Sequence, residues 1–139
     1  MRQRGVTLVE LVLVMVLVGI LAVYAAPRLG GGYDVAAARD ELIEALRYAQ
    51  QQSMSNTGAA NFAVVLAGDG FAIQQGGVTV SDPAGGAYSR QWNGIAVAPA
   101  GTVITFGSRG DTNNTVTMTL TGGGDTANVT VEAQTGYVR

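Results

Sequence analysis

One uninterrupted apolar segment dominates the N-terminal part of this chain. It covers residues 6–26, which is 21 positions, and contains a single charged side chain, Glu10. As an α-helix it would be roughly 30 Å long, about the thickness of the hydrocarbon core of a bilayer. Arg2 and Arg4 precede it, and basic residues favour the cytoplasmic side of a membrane. The segment therefore predicts a membrane-spanning helix whose C-terminal end leads out of the cytoplasm.

Glu10 is the exception within this apolar segment. A carboxylate inside a membrane costs free energy, about 3 kcal/mol at the helix centre on insertion scales and less near the edge. An intramembrane acid is by default a functional residue with a partner, and a free amine or a cation from another chain suits it. The alternative is that Glu10 lies shallow enough for the lipid headgroups to solvate it.

The residues around Glu10 form a specific pattern. In order, they are Arg4-Gly5-Val6-Thr7-Leu8-Val9-Glu10. Followed by a long apolar helix, this pattern resembles the class III leader of type IV pilins and type II secretion pseudopilins. The resemblance implies that a prepilin peptidase cuts between Gly5 and Val6 and methylates the new N-terminus at Val6. It also implies that Glu10 recognises the N-terminal amine of a neighbouring subunit.

The same resemblance assigns roles to further residues near the N-terminus. Thr7, Leu8 and Val9 belong with Glu10 to an assembly surface, which packs against the helices of other subunits. Pro27 lies where many pilins carry a helix-bending proline, because proline lacks an N–H and its ring clashes with the preceding turn. Most members of the family begin the mature chain with phenylalanine, whereas this chain has valine.

An ordinary secretory signal peptide is the alternative interpretation of the N-terminus. Arg2 and Arg4 would then form its basic region, residues 11–23 its apolar region and residues 23–25 its cleavage site. An acid at the head of the apolar region and a proline just after the cleavage site fit this interpretation poorly. The first residue of the mature protein distinguishes the two.

Beyond Pro27 the hydrophobic pattern becomes periodic. The glycines at 30–32 predict a loosening of the helix, and residues 33–55 predict a second helix. Its apolar residues recur every three or four positions and form one stripe, which we expect to pack under a sheet. The stripe consists of Val35, Ala38, Leu42, Ala45, Leu46 and Ala49.

Strand patterns follow from Asn61 onwards. Phe62–Ala67 and Gly70–Gln75 predict a hairpin closed by the two-residue turn Gly68-Asp69. Alternating or short apolar runs predict four more strands. These are residues 102–106, 115–121, 127–133 and 137–138.

A long irregular insertion, residues 81–94, separates the hairpin from the later strands. It carries Tyr88, Arg90 and Trp92. These three side chains could form an exposed docking patch. Alternatively, Trp92 packs over the sheet, and its large apolar area favours this second interpretation.

Together these patterns predict an α+β fold, in which a long N-terminal helix, membrane-spanning in its first half, packs on an antiparallel sheet, and the resemblance implies that this fold is pilin-like. The predicted division is a cleaved leader at 1–5, a transmembrane and assembly helix at 6–27, the amphipathic second half of the helix at 28–57 and a β-rich domain at 58–139. Residues 37–53 and the closing strands are similar to GspH/FimT-type pseudopilins and to the MSHA minor pilin MshC.

Composition excludes several classes of function. The chain has no His, Cys or Lys, so His- or Cys-based nucleophilic sites, His/Cys zinc sites, Schiff bases and Walker A loops cannot be built. We expect no enzyme activity, no catalytic residue, no metal and no cofactor. Loss of Arg2 and Arg4 with the leader would change the net charge from −2 to −4, which opposes binding to nucleic acid.

The resemblance implies a filament subunit of the minor or MSHA type, which assembles with other subunits into a pilus or pseudopilus. Its other expected partners are prepilin peptidase, the inner-membrane platform protein and, before assembly, membrane lipid. The expected location is the bacterial inner membrane, crossed once, with the C-terminal domain in the periplasm. Two alternatives remain: a GspH-like minor pseudopilin of a type II secretion system, and a secreted soluble β-domain that binds a ligand.

Overall fold

Two helices and eight strands make up the part of the chain that the structure describes. The structure is a computed structural model, and it describes residues 7–25, 31–56, 58 and 60–139. Helix α1 covers Leu8–Ala25 and helix α2 covers Gly31–Ser55. The strands are β1 (Phe62–Ala67), β2 (Gly70–Gln75), β3 (Val78–Thr79), β4 (Ser89–Gln91), β5 (Ile95–Ala98), β6 (Val103–Thr105), β7 (Val116–Gly122) and β8 (Asp125–Val131).

Helix α1 forms within the predicted apolar segment. It has 18 residues, and Glu10 lies in its first turn. Within residues 7–25 and 31–56, no helix has the length and hydropathy that crossing a membrane requires. The predicted span of residues 6–27 extends past α1 at both ends, where it leaves the described residues. The membrane-spanning first half of the long helix therefore stays a prediction.

Helix α2 begins at Gly31, two residues before the predicted start, and ends at Ser55 as predicted. The predicted loosening is therefore wrong for Gly31 and Gly32, which are helical, while Gly30 lies outside the described residues. A helical glycine costs about 1 kcal/mol relative to alanine. Asp34 in the first turn favours the helix through its interaction with the positive end of the helix dipole. Packing of the helix against the sheets adds further stabilisation.

The predicted apolar stripe is the side of α2 that faces the core. All six of its residues are buried, none more than 2% exposed. They contact both sheets, because α2 lies against β1 and β2 on one side and β7 and β8 on the other. Burying each large aliphatic side chain contributes roughly 1.5–3 kcal/mol, so this stripe is a main source of the stability of the domain.

The β-rich domain contains two antiparallel sheets, where the sequence predicted one. The first has the strand order β3-β2-β1-β6, with β4 also paired to β2, and the second has the order β5-β7-β8. Together with α2 they enclose a single core. The largest fully buried side chains of the sheets and their connections are Leu66, Ile73, Ile104, Phe106, Met118 and Leu120.

The predicted hairpin is confirmed, with Ala67 paired to Gly70 around the two-residue turn. Strands β6 and β7 lie within one or two residues of their predicted bounds. Strand β8 begins two residues earlier than predicted and ends at Val131. The predicted last strand is reduced to a single bridge, between Val131 and Val138.

Strands β3, β4 and β5 were not predicted. The insertion was expected to be irregular, yet β4 lies within it and pairs with β2. A Cβ atom at Gly70 would collide with the carbonyl oxygen of Arg90, so the glycine on β2 permits this close approach. Strand β5 has only four residues, of which Ile95 and Val97 are buried. Such short runs carry little periodicity, and pairing with distant strands decides their structure.

Candidate functional site

Thr7 is the N-cap of helix α1. Its hydroxyl oxygen accepts a hydrogen bond from the backbone N–H of Glu10 at 3.3 Å. Its carbonyl oxygen accepts the N–H of Leu11 at 3.1 Å. The first N–H groups of a helix have no partner within the helix, so a capping threonine satisfies one of them and contributes about 1 kcal/mol. Thr7 therefore defines where the helix begins.

Glu10 occupies the third helical position after this cap. Thr-x-x-Glu is the sequence of a capping box, and an acid in the first turn is stabilised by the helix dipole. The position of Glu10 in the first turn therefore favours its charged form through the helix dipole. The sequence predicted Thr7 only as an assembly residue and missed its capping role. The three-residue spacing of Thr7 and Glu10 is the signal that would have found it.

The side chains of α1 are uncovered over residues 8–22, the part of this helix whose side chains the structure describes. All side chains of residues 7–22 are exposed, among them Leu8 at 79% and Val9 at 73%. A helix that is apolar on every side is normally buried in lipid or in protein. Five of its residues line a shallow apolar groove of about 500 Å³. They are Leu8, Val9, Val12, Leu13 and Val16. Within the described chain nothing buries this surface.

The structure brings the predicted assembly residues Thr7, Leu8, Val9 and Glu10 together at the start of α1. Gly5, Val6 and Pro27 lie outside the described residues. The cleavage and methylation sites and the helix bend therefore stay predictions.

The insertion docks on α2 and β2 through its aromatic side chains. The Nε1–H of Trp92 donates a hydrogen bond to Oε2 of Glu41 at 2.7 Å, and the Trp92 ring centroid lies 5.6 Å from that of Phe71. The ring of Tyr88 lies 5.0 Å from that of Tyr48. The prediction that Trp92 packs over the sheet is confirmed. Of the three residues of the predicted exposed patch, Arg90 is exposed, whereas Tyr88 and Trp92 are half-buried.

An ion pair holds the tip of the insertion. Arg90 donates to Oδ2 of Asp82 at 2.9 Å, and the N–H of Ala84 donates to Oδ1 of Asp82 at 2.9 Å. The hydrogen bond from Ala84, and then the one from Arg90, lower the pKa of the Asp82 carboxyl. Burial, and then the negative charge of Glu44, raise the pKa of the Tyr88 hydroxyl. At neutral pH Asp82 is therefore charged and Tyr88 is neutral.

An open groove of about 380 Å³ lies between α2 and the insertion. Its walls include three carboxylates and three aromatic rings. They are Glu41, Glu44, Asp82, Tyr48, Phe71 and Tyr88. Two of the carboxylates are already engaged, one by Trp92 and one by Arg90. Across the described residues no group of acidic side chains is arranged to hold a metal ion.

Comparison with known proteins adds to this geometry. None of the curated proteins matches the chain. The prokaryotic N-terminal methylation motif matches residues 1–26. The crystal structure of the type IV minor pilin FimU from Pseudomonas aeruginosa (strain PAO1) is similar to this chain with a TM-score of 0.55 at 17% sequence identity, covering 75% of this chain and 90% of that one. The chain therefore carries an N-terminal methylation motif and has the fold of a type IV minor pilin.

The pilin fold confirms the predicted α+β architecture, an N-terminal helix packed on antiparallel β-structure. The N-terminal methylation motif includes the whole of α1.

Proposed function

We propose that this pilin-like chain is a prepilin that becomes a minor subunit of a pilus. Prepilin peptidase cuts it between Gly5 and Val6 and methylates the amine of Val6, and the processed subunit enters the filament through α1. The observation that carries this proposal is the uncovered apolar helix α1, which begins at Leu8, the third residue after the proposed cut. The match of residues 1–26 to the methylation motif supports it.

Glu10 sets the register of assembly by pairing with the N-terminal amine of a neighbouring subunit. Either charge alone is costly in an apolar environment, and removing one partner of a buried pair typically costs about 3–5 kcal/mol. The Thr7 cap fixes the first turn, and therefore the position of Glu10 relative to Leu8 and Val9. Those apolar side chains pack against the helices of neighbouring subunits.

Before assembly, the proposed location is the bacterial inner membrane, crossed once, with the C-terminal domain in the periplasm. Arg2 and Arg4 favour the cytoplasmic side for the N-terminus, as the positive-inside rule requires. Lipid covers α1 until the platform protein of the inner membrane passes the subunit to the growing filament. Pro27 bends the helix near the point where it leaves the bilayer.

The test separates processing from assembly. Gly5→Val should block cleavage, so that mass spectrometry finds residues 1–5 still attached. Glu10→Ala should be cleaved normally but enter filaments at least roughly tenfold less well, because it leaves a neighbour's amine unpaired. Glu44→Ala, which removes an exposed acid from α2, is the matched control and should behave as the wild type. Normal filaments from both Gly5→Val and Glu10→Ala would contradict the proposal.

The finer alternatives are an MSHA-type pilin and a GspH-like minor pseudopilin of a type II secretion system. The fold of FimU, a minor pilin, supports a minor subunit. Deleting the gene distinguishes the two systems: loss of surface filaments indicates a pilus, and retention of exoproteins in the periplasm indicates a secretion pseudopilus. A mature protein that is not membrane-bound and begins near residue 26 would instead indicate a secreted domain.

A further inference from the structure

Strand β7 is covered along only part of one edge. On that side its partner is β5, and the last pair of their ladder is Ala98 opposite Thr119. The chain then reaches Pro99, which has no N–H and cannot extend the ladder. Residues 116–118 of β7 therefore pair with β8 on one side and with no strand of the described chain on the other.

Thr117 directs its backbone groups toward this uncovered edge. On β8, Thr130 lies opposite Thr117 but exchanges its N–H and C=O bonds with Arg139 instead, at 2.8 and 3.0 Å. Backbone groups of an antiparallel strand alternate in direction, so those of Thr117 point away from β8. Within residues 60–139 nothing accepts its N–H or donates to its C=O.

Strand β6 presents a second uncovered edge. Its inner edge pairs with β1, where the N–H of Phe106 donates to the carbonyl of Phe62 at 3.0 Å. By the same alternation, the N–H and C=O groups of Val103 and Thr105 point away from β1. Both residues are exposed, and no described strand pairs with this side of β6.

A groove of about 130 Å³ is lined by Val103 and Thr105 of the β6 edge and by Val116, the neighbour of Thr117 on β7. Ile104 and Val116 supply its apolar lining, and the uncharged Thr112, Asn113 and Asn114 supply much of the rest. Pockets for small molecules are usually about 300–1,000 Å³, so this groove is small for such a ligand. An extended backbone, which needs only about 4.8 Å between itself and each neighbouring strand, suits it better.

We propose that this groove receives an extended segment of another polypeptide chain, which pairs with β6 and with the first half of β7 and joins the two sheets. Outward-facing N–H and C=O groups at Val103, Thr105 and Thr117 are what an added strand requires. The segment would continue the line of β5, which alternates buried apolar residues with exposed alanines. Because the lining of the groove is uncharged, it suits an added segment that alternates apolar and small residues as β5 does.

Charged residues, proline or a bulge commonly prevent an edge strand from pairing with another chain. Residues 103–105 contain no charge and no proline, so only the shortness of β6 protects this edge. The interface lies on the β-rich domain and is distinct from the surface of α1. It therefore extends the proposed assembly function and can fail independently of it.

The experiment is amide hydrogen exchange by NMR on the full chain in detergent micelles. The probe is a capped synthetic peptide with the alternation of β5, Ala-Ile-Ala-Val-Ala-Thr. Exchange at the N–H groups of Val103, Thr105 and Thr117 should slow at least roughly tenfold when the peptide binds. The same peptide N-methylated at alternate residues should give no protection, because it lacks the required donors. No protection at about 1 mM peptide would overturn the proposal.

Two variants test whether the protection of these amides from exchange arises from binding in the groove. Val103→Pro removes an N–H that β1 does not use, and it should abolish protection at Thr117, whereas Val103→Ala should retain it. If Val103→Pro fails to fold, Thr117→Pro tests the same point from the other strand. Protection that persists in the folded proline variant would contradict the proposal. Protection that arises without peptide and grows with protein concentration would instead indicate pairing between copies of this chain.

Discussion

Gln50 links helix α2 to two loops of the domain with one amide group. Its Nε2 donates to the carbonyl oxygens of Gly110 at 2.8 Å and Thr135 at 3.1 Å. Gly110 is buried, so water cannot readily replace a lost donor to its carbonyl. A Cβ atom at Gly136 would collide with the same carbonyl oxygen, so the two loops meet too closely there to admit a side chain.

We expect Gln50→Ala to lower the free energy of unfolding by about 1–3 kcal/mol, because it leaves a buried carbonyl without its donor. The measurement is the urea unfolding curve of the detergent-solubilised chain. Gln51→Ala, one position along the same helix and exposed, is the control and should change stability by no more than about 0.5 kcal/mol. Equal effects of the two substitutions would mean that the Gln50 bridge contributes nothing.

Asp82 should titrate below the ordinary aspartate value of 3.8, because the N–H of Ala84 and the guanidinium of Arg90 both stabilise its charged form. Its lowered pKa stabilises the fold above the pKa of the unfolded chain, and this contribution is lost as pH falls through the folded value. The contact with Arg90 should therefore open on the acid side of pH 3.8. NMR titration of the carboxyl carbon measures this.

The Arg90→Gln variant separates the two causes of the lowered pKa of Asp82. In this variant the pKa of Asp82 should rise but stay below 3.8, because the hydrogen bond from Ala84 remains. A midpoint at or above 3.8 in the wild-type chain would contradict the assignment of both interactions.

At the scale of single residues, the sequence identifies side chains whose chemistry differs from that of their neighbours. Glu10 is such a residue, a charge within an apolar segment, and Trp92 is large enough to make its packing predictable. The hydrogen-bond partner of Trp92 was not predictable. Glu41 lies 51 positions away, and no local pattern indicates that the two side chains meet. The spacing between Thr7 and Glu10 indicates the cap at Thr7, but we did not predict it.

At the scale of elements, the first turn of α1 depends on Thr7. Thr7→Val should destabilise that turn by about 1 kcal/mol, since the hydroxyl that caps the N–H of Glu10 is lost. Faster hydrogen exchange at the amide of Glu10 in detergent is the expected result. Thr7→Ser retains a capping hydroxyl and should exchange as the wild type. If valine and serine behave alike, the cap does not stabilise α1.

Elements with internal periodicity were predictable and those without it were not. Helix α2 follows from its apolar stripe, and the β1–β2 hairpin follows from two apolar runs around a Gly-Asp turn. Strands β3, β4 and β5 have two to four residues each. Their structure depends on pairing with strands formed elsewhere in the chain, which a local pattern does not contain. The division into two sheets depends on the same pairings.

At the scale of the whole molecule, the core is independent of α1. Every member of the buried cluster lies between Val35 and Val138. Removing residues 1–30 should therefore leave a folded, water-soluble domain, because the side chains that the structure describes in this segment, those of residues 7–22, are all exposed. Its near-ultraviolet circular dichroism and thermal midpoint should match those of the full chain in detergent. A truncated chain without cooperative unfolding would show that α1 contributes to the fold.

The insertion has a consequence for engineering. Its anchoring side chains, Tyr88, Arg90 and Trp92, follow the bridge between Ser81 and Ala87, and residues 83–86 beyond that bridge are all exposed. Gly85 and Gly86 have no atom within 4 Å of where a Cβ would lie. A foreign epitope grafted at this tip would leave the anchors in place, so the tip is a suitable position for carrying an inserted peptide on the folded domain.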